Sequence, residues 1–165
     1  MTKTTLLTQD DLYLFNEGTN IRLFERLGAH IIEQNGVRGT HFAVWAPNAQ
    51  HVSVIGDFNG WDKTATPLTL AGESGIWQGF VPGIEQGAHY KYHISSRHMG
   101  YRVDKTDPFA FHREVPPQTA SIVWELDYDW HDAEWMQNRH AGNALHAPTS
   151  VYEVHLGSWR RDPAQ

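Results

Sequence analysis

A tryptophan sits where a folding chain has little structural use for one. In GDFNGWDK, residues 56–63, Trp61 follows Asn59-Gly60, whose tolerance of positive φ predicts a tight turn, and Asp57 and Asp62 flank it with charge. An indole presented to water there, with Asn59, Asp62 and Lys91 supplying hydrogen-bonding groups, suits the apolar face and the hydroxyls of a sugar ring. Covering about 70 Å² of ring face at roughly 25 cal/mol per Å² yields about 1.5–2 kcal/mol, whereas a millimolar complex already needs about 4 kcal/mol. One such stack therefore works through avidity, on a polymer. A second reading stays open, in which the turn folds back and the indole caps the end of the fold.

The other reactive side chains do not assemble into a recognisable catalytic or metal pattern. There is no Gly-rich phosphate loop, no H-E-x-x-H and no G-x-S-x-G. Among the 11 histidines, His89 and His93 come nearest to a ligand pair. On a strand they lie about 13 Å apart, too far to share an ion. Glu125, Asp127, Asp129, Asp132 and Glu134 fall in a polar stretch. A flexible stretch cannot hold two carboxylates at the fixed separation, about 5 to 9.5 Å, that glycoside cleavage requires, so these read as solvated charge. Neither a cofactor nor a metal is expected.

Bulk composition narrows the partners. The net charge is −6, from 19 acidic and 13 basic side chains, with no Lys/Arg cluster beyond Arg160-Arg161, so a nucleic-acid partner is not expected. No apolar run approaches the roughly 20 residues of a membrane span, and the start MTKTTLLTQDD lacks a signal-peptide core, so the expectation is a cytoplasmic protein with no membrane partner. Cysteine is absent, which removes disulfides and thiolate metal sites. With 7 Trp, 7 Phe and 6 Tyr, the chain carries more rings than a modest core must use.

The elements that must position Trp61 read as follows. TQDDLYLFNEG is a short helix, with Thr8 as its cap, Asp11 three residues on as in a capping box, and Gly18 as its stop. IRLFERLG adds a further helical turn. From His30 the period becomes two: a strand, the hairpin signal Asn35-Gly36, then Phe42, Val44 and Ala46 alternating with Ala43 and Trp45. HVSVIGDF, PLTL, IWQGFVP, AHYKYHIS and ASIVWEL follow as strands, with turns about every 8–12 residues, which predicts an all-β, immunoglobulin-like antiparallel sandwich. In AHYKYHIS, Tyr90, Tyr92 and Ile94 point inward, and His89, Lys91 and His93 point the other way. The chain length allows one complete domain plus a fragment. Residues 1–28 read as a helical lead-in, 29–125 as the sandwich, 126–149 as a linker with a short helix near 132–139, and SVYEVHLGSW (150–159) as an orphan strand without a partner.

Several runs together resemble one family. GTHFAVWAPNAQHVSVIGDFNGWD (39–62), ESGIWQGFVPG (73–83), YKYHI (90–94), KTDPFAF (105–111) and QTASIVW (118–124) resemble the family 48 carbohydrate-binding modules. DLYLFNEGT, LGAH and SVYEVHLGSWRR resemble the flanks of such a module in the bacterial glycogen (1,4-α-glucan) branching enzymes. The resemblance implies α-glucan partners (glycogen, maltooligosaccharide), and it implies that 150–165 opens the (β/α)₈ catalytic barrel of a longer parent chain, the other partner. Its carboxylate nucleophile and acid/base glutamate lie in later motifs that do not occur here, so this chain alone is expected to be inactive. The resemblance also implies that Trp61 and Lys91 contact glucan. Where the family carries a second platform Trp after the YKY strand, this chain has SRHMGYR, and Tyr101 is the substitute. Where the family has an Asn near TAS, this chain has Ala120 or Ser121. Two other readings remain: a structural spacer whose Trp130, Trp135 and Trp159 serve an interface with the barrel, and a free-standing glycogen-targeting subunit.

Overall fold

The computed structural model describes residues 6–159, so residues 1–5, the Arg160-Arg161 pair and the rest of the 160–165 segment lie outside the described residues. The chain divides into two compact units, Met1–Leu126 and Asp127–Gln165.

The first unit opens with helix α1, Gln9–Glu17, whose ends are those the sequence predicts. Thr8 and Asp11 exchange capping-box hydrogen bonds, and Gly18 closes the helix at φ 75°. The predicted helical turn after it is a short 3-10 turn, Leu23–Glu25. Among the described residues nine strands follow: β1 Gly28–Gln34, β2 Val37–Trp45, β3 Ala49–Gly56, β4 Thr69–Leu70, β5 Ile76–Pro82, β6 His89–Ser96, β7 Arg102–Lys105, β8 His112–Arg113 and β9 Ser121–Ile122. They form two antiparallel sheets, ordered β1-β2-β5-β4 and β3-β6-β9-β8, with β7 paired on β6 beyond the point where β9 leaves it. This is the all-β, immunoglobulin-like sandwich the strand pattern predicts. The β1–β2 hairpin turns on Asn35 and Gly36 at φ 54° and 77°, the geometry for which that dipeptide is suited.

The core lies between the sheets. Phe42, Val44 and Trp77 from the first meet Val52, Val54, Tyr90, Tyr92 and Val123 from the second. Each such side chain contributes about 1.5–3 kcal/mol by leaving water. A second apolar cluster covers the back of the first sheet: Leu7, Leu12, Phe15 and Leu23 from the N-terminal segment close over Ala43 and Ile76.

One charged group is buried with the rings. Asp107 is 0 % exposed; its Oδ2 accepts the hydroxyls of Tyr90 at 2.6 Å and Tyr92 at 3.2 Å, and its Oδ1 accepts the backbone N–H of Phe109 at 2.8 Å. Burial pushes its carboxyl above the usual carboxylate range, against the hydrogen bonds that pull it down.

The second unit contains α2, Ala133–Gly142, close to the predicted helix, and α3, Leu156–Trp159. The reading of 150–159 as a strand is corrected here: residues 151–155 have no regular structure, and the apolar run ends in a helical turn. The physical reason is that a strand is stabilised by its ladder, and among the described residues none pairs with this segment.

Candidate functional site

Trp61 is delivered by the turn that ends β3. A 3-10 turn spans Asp57–Asn59, and Gly60 and Trp61 then take φ 63° and 61°, both left-handed. The Trp61 amide donates to Gly56 O at 2.8 Å and the Gly60 amide to Asp57 O at 3.4 Å, the two bonds that terminate a helical turn. The tight turn is where the sequence places it, but the positive φ values expected of Asn59-Gly60 fall one residue later, on Gly60 and Trp61. Asn59 instead works through its side chain. Its Oδ1 accepts from Gly56 N at 3.0 Å, and its Nδ2 donates to Val54 O at 3.0 Å and to Thr66 Oγ1 at 2.9 Å. Asn59 thus fixes the turn from within, its amide engaged by protein.

Holding a tryptophan in the left-handed region costs about 1–2 kcal/mol, which a glycine at that position avoids. The strain keeps an indole that remains 40 % exposed. The ring is therefore neither fully capped by protein nor free of it. Asp62, fully in solvent, accepts the Thr64 amide and hydroxyl at 2.8 Å each, and these bonds hold its carboxyl below the ordinary range.

Lys91 stands at the same end of the second sheet. Trp61 is bonded to Gly56, which pairs with Tyr90, and Lys91 pairs with Ile55. Lys91 Nζ donates to Thr119 Oγ1 at 2.8 Å, and Thr119 O accepts from Thr106 Oγ1 at 2.6 Å. Thr119 escaped the sequence reading. Its signal was its place in QTASIVW, one residue before the Ala120 that was considered in place of the family's Asn. Trp61, Asn59 and Asp62 thus share one turn, and Lys91, with Thr119 bonded to it, lies on the strand that pairs with the β3 residues leading into that turn; Asn59, read from the sequence as offering a hydrogen bond to a sugar, is corrected to a support of the turn, its amide taken by Gly56, Val54 and Thr66.

Tyr101 is not. It follows the far end of β6, where its carbonyl accepts from Ser96 N at 2.8 Å. The five-residue run from Lys91 to Ser96 separates it from Lys91 by about 17 Å. There, 59 % exposed, it lines a shallow cleft of ≈ 270 Å³ with Trp45, Pro47, Asn48 and Val103. A larger groove of ≈ 470 Å³, lined in part by His51, Ser53, Lys63, His93 and Arg102, lies on the outer face of the second sheet. His93 faces it, bonded to Asp104 at 2.6 Å, while His89 lies against Asp57 and Glu114, so the two histidines are held by different carboxylates. Among the described residues no group of three or more metal-ligating side chains converges. The turn after β3 thus carries a ring and a carboxylate, Trp61 and Asp62, and the neighbouring strand position an amine bonded to a hydroxyl, Lys91 and Thr119.

Known proteins match this frame. The model of carbohydrate-binding module 48 (isoamylase N-terminal domain) matches residues 26–110. The chain is 52 % identical over 166 residues to the 1,4-alpha-glucan branching enzyme GlgB of Aquifex aeolicus (strain VF5), covering 100 % of this chain and 26 % of that protein. It is 56 % identical over 152 residues to the enzyme of the same name from Albidiferax ferrireducens, covering 92 % of this chain and 24 % of that one. Ligand-free PulA from Klebsiella pneumoniae superposes with a TM-score of 0.50 at 28 % identity, over 62 % of this chain and 10 % of that chain. The chain thus spans 26 % and 24 % of the two branching enzymes.

Proposed function

Because this chain belongs to the carbohydrate-binding module 48 family, we propose that it is the N-terminal portion of a 1,4-α-glucan branching enzyme acting in the cytoplasm, and that its sandwich contacts α-glucan through Trp61. In this reading residues 29–125 are the module, 126–149 the linker, and 150–165 the opening of a catalytic barrel that moves α-1,4 segments to 6-hydroxyls; the transfer chemistry belongs to that longer protein. The observation that carries the contact is the strained, 40 % exposed Trp61 at the same sheet end as Lys91. Among the described residues no helix is long and apolar enough to cross a membrane.

Native gels cast with and without glycogen test the reading. Retardation of the chain by glycogen is the expected result, and equal mobility in both gels would overturn it. The spacer reading has its own support: Trp130, Trp135 and Trp159 are 71 %, 58 % and 58 % exposed in the second unit, rings suited to an interface. It predicts equal mobility in the two gels and a melting temperature well below that of the full-length enzyme.

A further inference from the structure

One imidazole joins the two loops that flank the Trp61 site. Asp57 opens the turn that carries Trp61; its Oδ2 accepts the backbone N–H of His89 at 3.1 Å and lies 3.3 Å from His89 Nδ1. On the other side of the ring, His89 Nε2 stands 3.7 Å from Glu114 Oε1. The second oxygen of Glu114 accepts the Ala120 amide at 2.7 Å, next to the Thr119 that receives Lys91. The path from Asp57 through His89 and Glu114 to Ala120 links the Trp61 turn to the Thr119 loop.

We infer that His89 is a proton-dependent clasp and a positioning residue: charged, it pairs with both carboxylates, holds the two loops together and strengthens α-glucan binding on the acid side of neutrality. The inference rests on the reading of Trp61 as a glucan contact. A neutral imidazole has one N–H and can donate to one carboxylate only; the cation has two. Histidine is the side chain that takes up its second proton near neutrality. The charged and titratable groups on its face are Asp57, Glu114, Lys91 two residues along β6, and His112, which shares its partner Ile122 across β9. Two carboxylates and one amine thus stand around the imidazole. Arg113 turns away and donates to Asp107 O at 2.8 Å.

Mobility of the 165-residue chain and of His89→Gln is measured across a glycogen concentration series between about pH 5.5 and about pH 7.5, the range over which histidine changes charge. Amide shifts of residues 56–62 and 114–120 are followed through the same series without sugar. Wild type is expected to bind about threefold more weakly at the upper pH, the scale of exposed ion pairs, and His89→Gln to lose the slope. Both loops should titrate along one curve that vanishes in His89→Gln. A wild-type affinity independent of pH, a slope kept in His89→Gln, or loops titrating with separate midpoints would each overturn the clasp. If glycogen is bound at no pH, the glucan reading fails and the amide curves alone decide: a shared His89-dependent curve upholds the clasp, separate ones remove it.

Discussion

Lys91 Nζ donates to Thr119 Oγ1 at 2.8 Å, joining β6 to the segment before β9 across the outer face of the second sheet. The amine is thereby held against the Thr119 segment instead of sweeping through solvent. Lys91→Ala should weaken retention on glycogen about three- to tenfold, the scale of a lost hydrogen bond, and leave the melting temperature nearly unchanged. Thr119→Val should give a smaller loss in the same direction. Unaltered retention in Lys91→Ala would remove the amine from the site.

Asn59 makes three hydrogen bonds inside the turn, two of them to backbone groups of β3. Asn59→Ala leaves a donor and an acceptor unmatched in a half-buried place and should cost about 2–3 kcal/mol, read as a lower urea midpoint at constant m. Retention on glycogen should fall with it, because the turn aims Trp61. Asp62→Ala, altering a solvated carboxylate, should leave the urea midpoint where it is. Equal midpoints for Asn59→Ala and wild type would show that the turn is held by other means.

Much of this frame was legible in the chain, and the exceptions share a cause. Thr8, Asp11 and Gly18 mark helix ends through contacts at most ten residues apart, and the alternation of Phe42 with Val44 or Tyr90 with Tyr92 reports a buried face directly. Asn35-Gly36 and Asn59-Gly60 are the same dipeptide put to different uses: the first closes a hairpin, while Thr66 and the β3 backbone capture the side chain of the second. β7, with only Val103 apolar, is a strand because the edge of β6 is there to receive it. Tyr101 enters the sequence reading as the ring standing in for the family's second Trp, but an extended strand carries the chain away from Lys91 before it turns back. Asp107 follows a Thr and precedes a Pro, a turn-like setting; only Tyr90 and Tyr92 explain why it is buried. Long-range partners, not local pattern, decided each of these.

His41 makes the fold sensitive to acid. It is 2 % exposed, its Nε2 is paired with Gln78 at 3.1 Å, its Nδ1 has no partner among the described residues, and burial pushes its pKa from 6.5 down to about 4. The unfolded chain therefore binds more protons between those values. The stability of keeping His41 neutral is complete above 6.5 and is lost as pH falls toward 4, about 2 kcal/mol of it by pH 5. Asp107, raised in pKa, acts with the opposite sign, so a variant is needed to isolate the effect. His41→Leu should match or exceed wild-type stability at neutral pH and flatten this acid slope in urea titrations. An unchanged slope would place the acid sensitivity elsewhere.

Asp107→Ala should be among the costlier single changes. It takes the carboxylate from two buried hydroxyls, leaving Tyr92 only the long bonds to Gly28 O and Ala43 O at 3.4 Å, and should lower stability by about 3 kcal/mol or more, whereas Tyr90→Phe, which leaves the Tyr92 bond to Asp107 intact, should cost about 1–2 kcal/mol. Urea midpoints measure both. A loss below about 1 kcal/mol in Asp107→Ala would mean that the hydroxyls find other partners.

The most direct measurement is the dissociation constant for glycogen, obtained from mobility across a glycogen concentration series, for wild type, Trp61→Phe and Trp61→Ala, each checked by its melting curve at the assay temperature. The account predicts measurable wild-type binding, partial retention in Trp61→Phe, and loss of about tenfold or more in a still-folded Trp61→Ala, since removing about 1.5–2 kcal/mol of ring contact is a factor of that size. Binding by Trp61→Ala equal to wild type would contradict it.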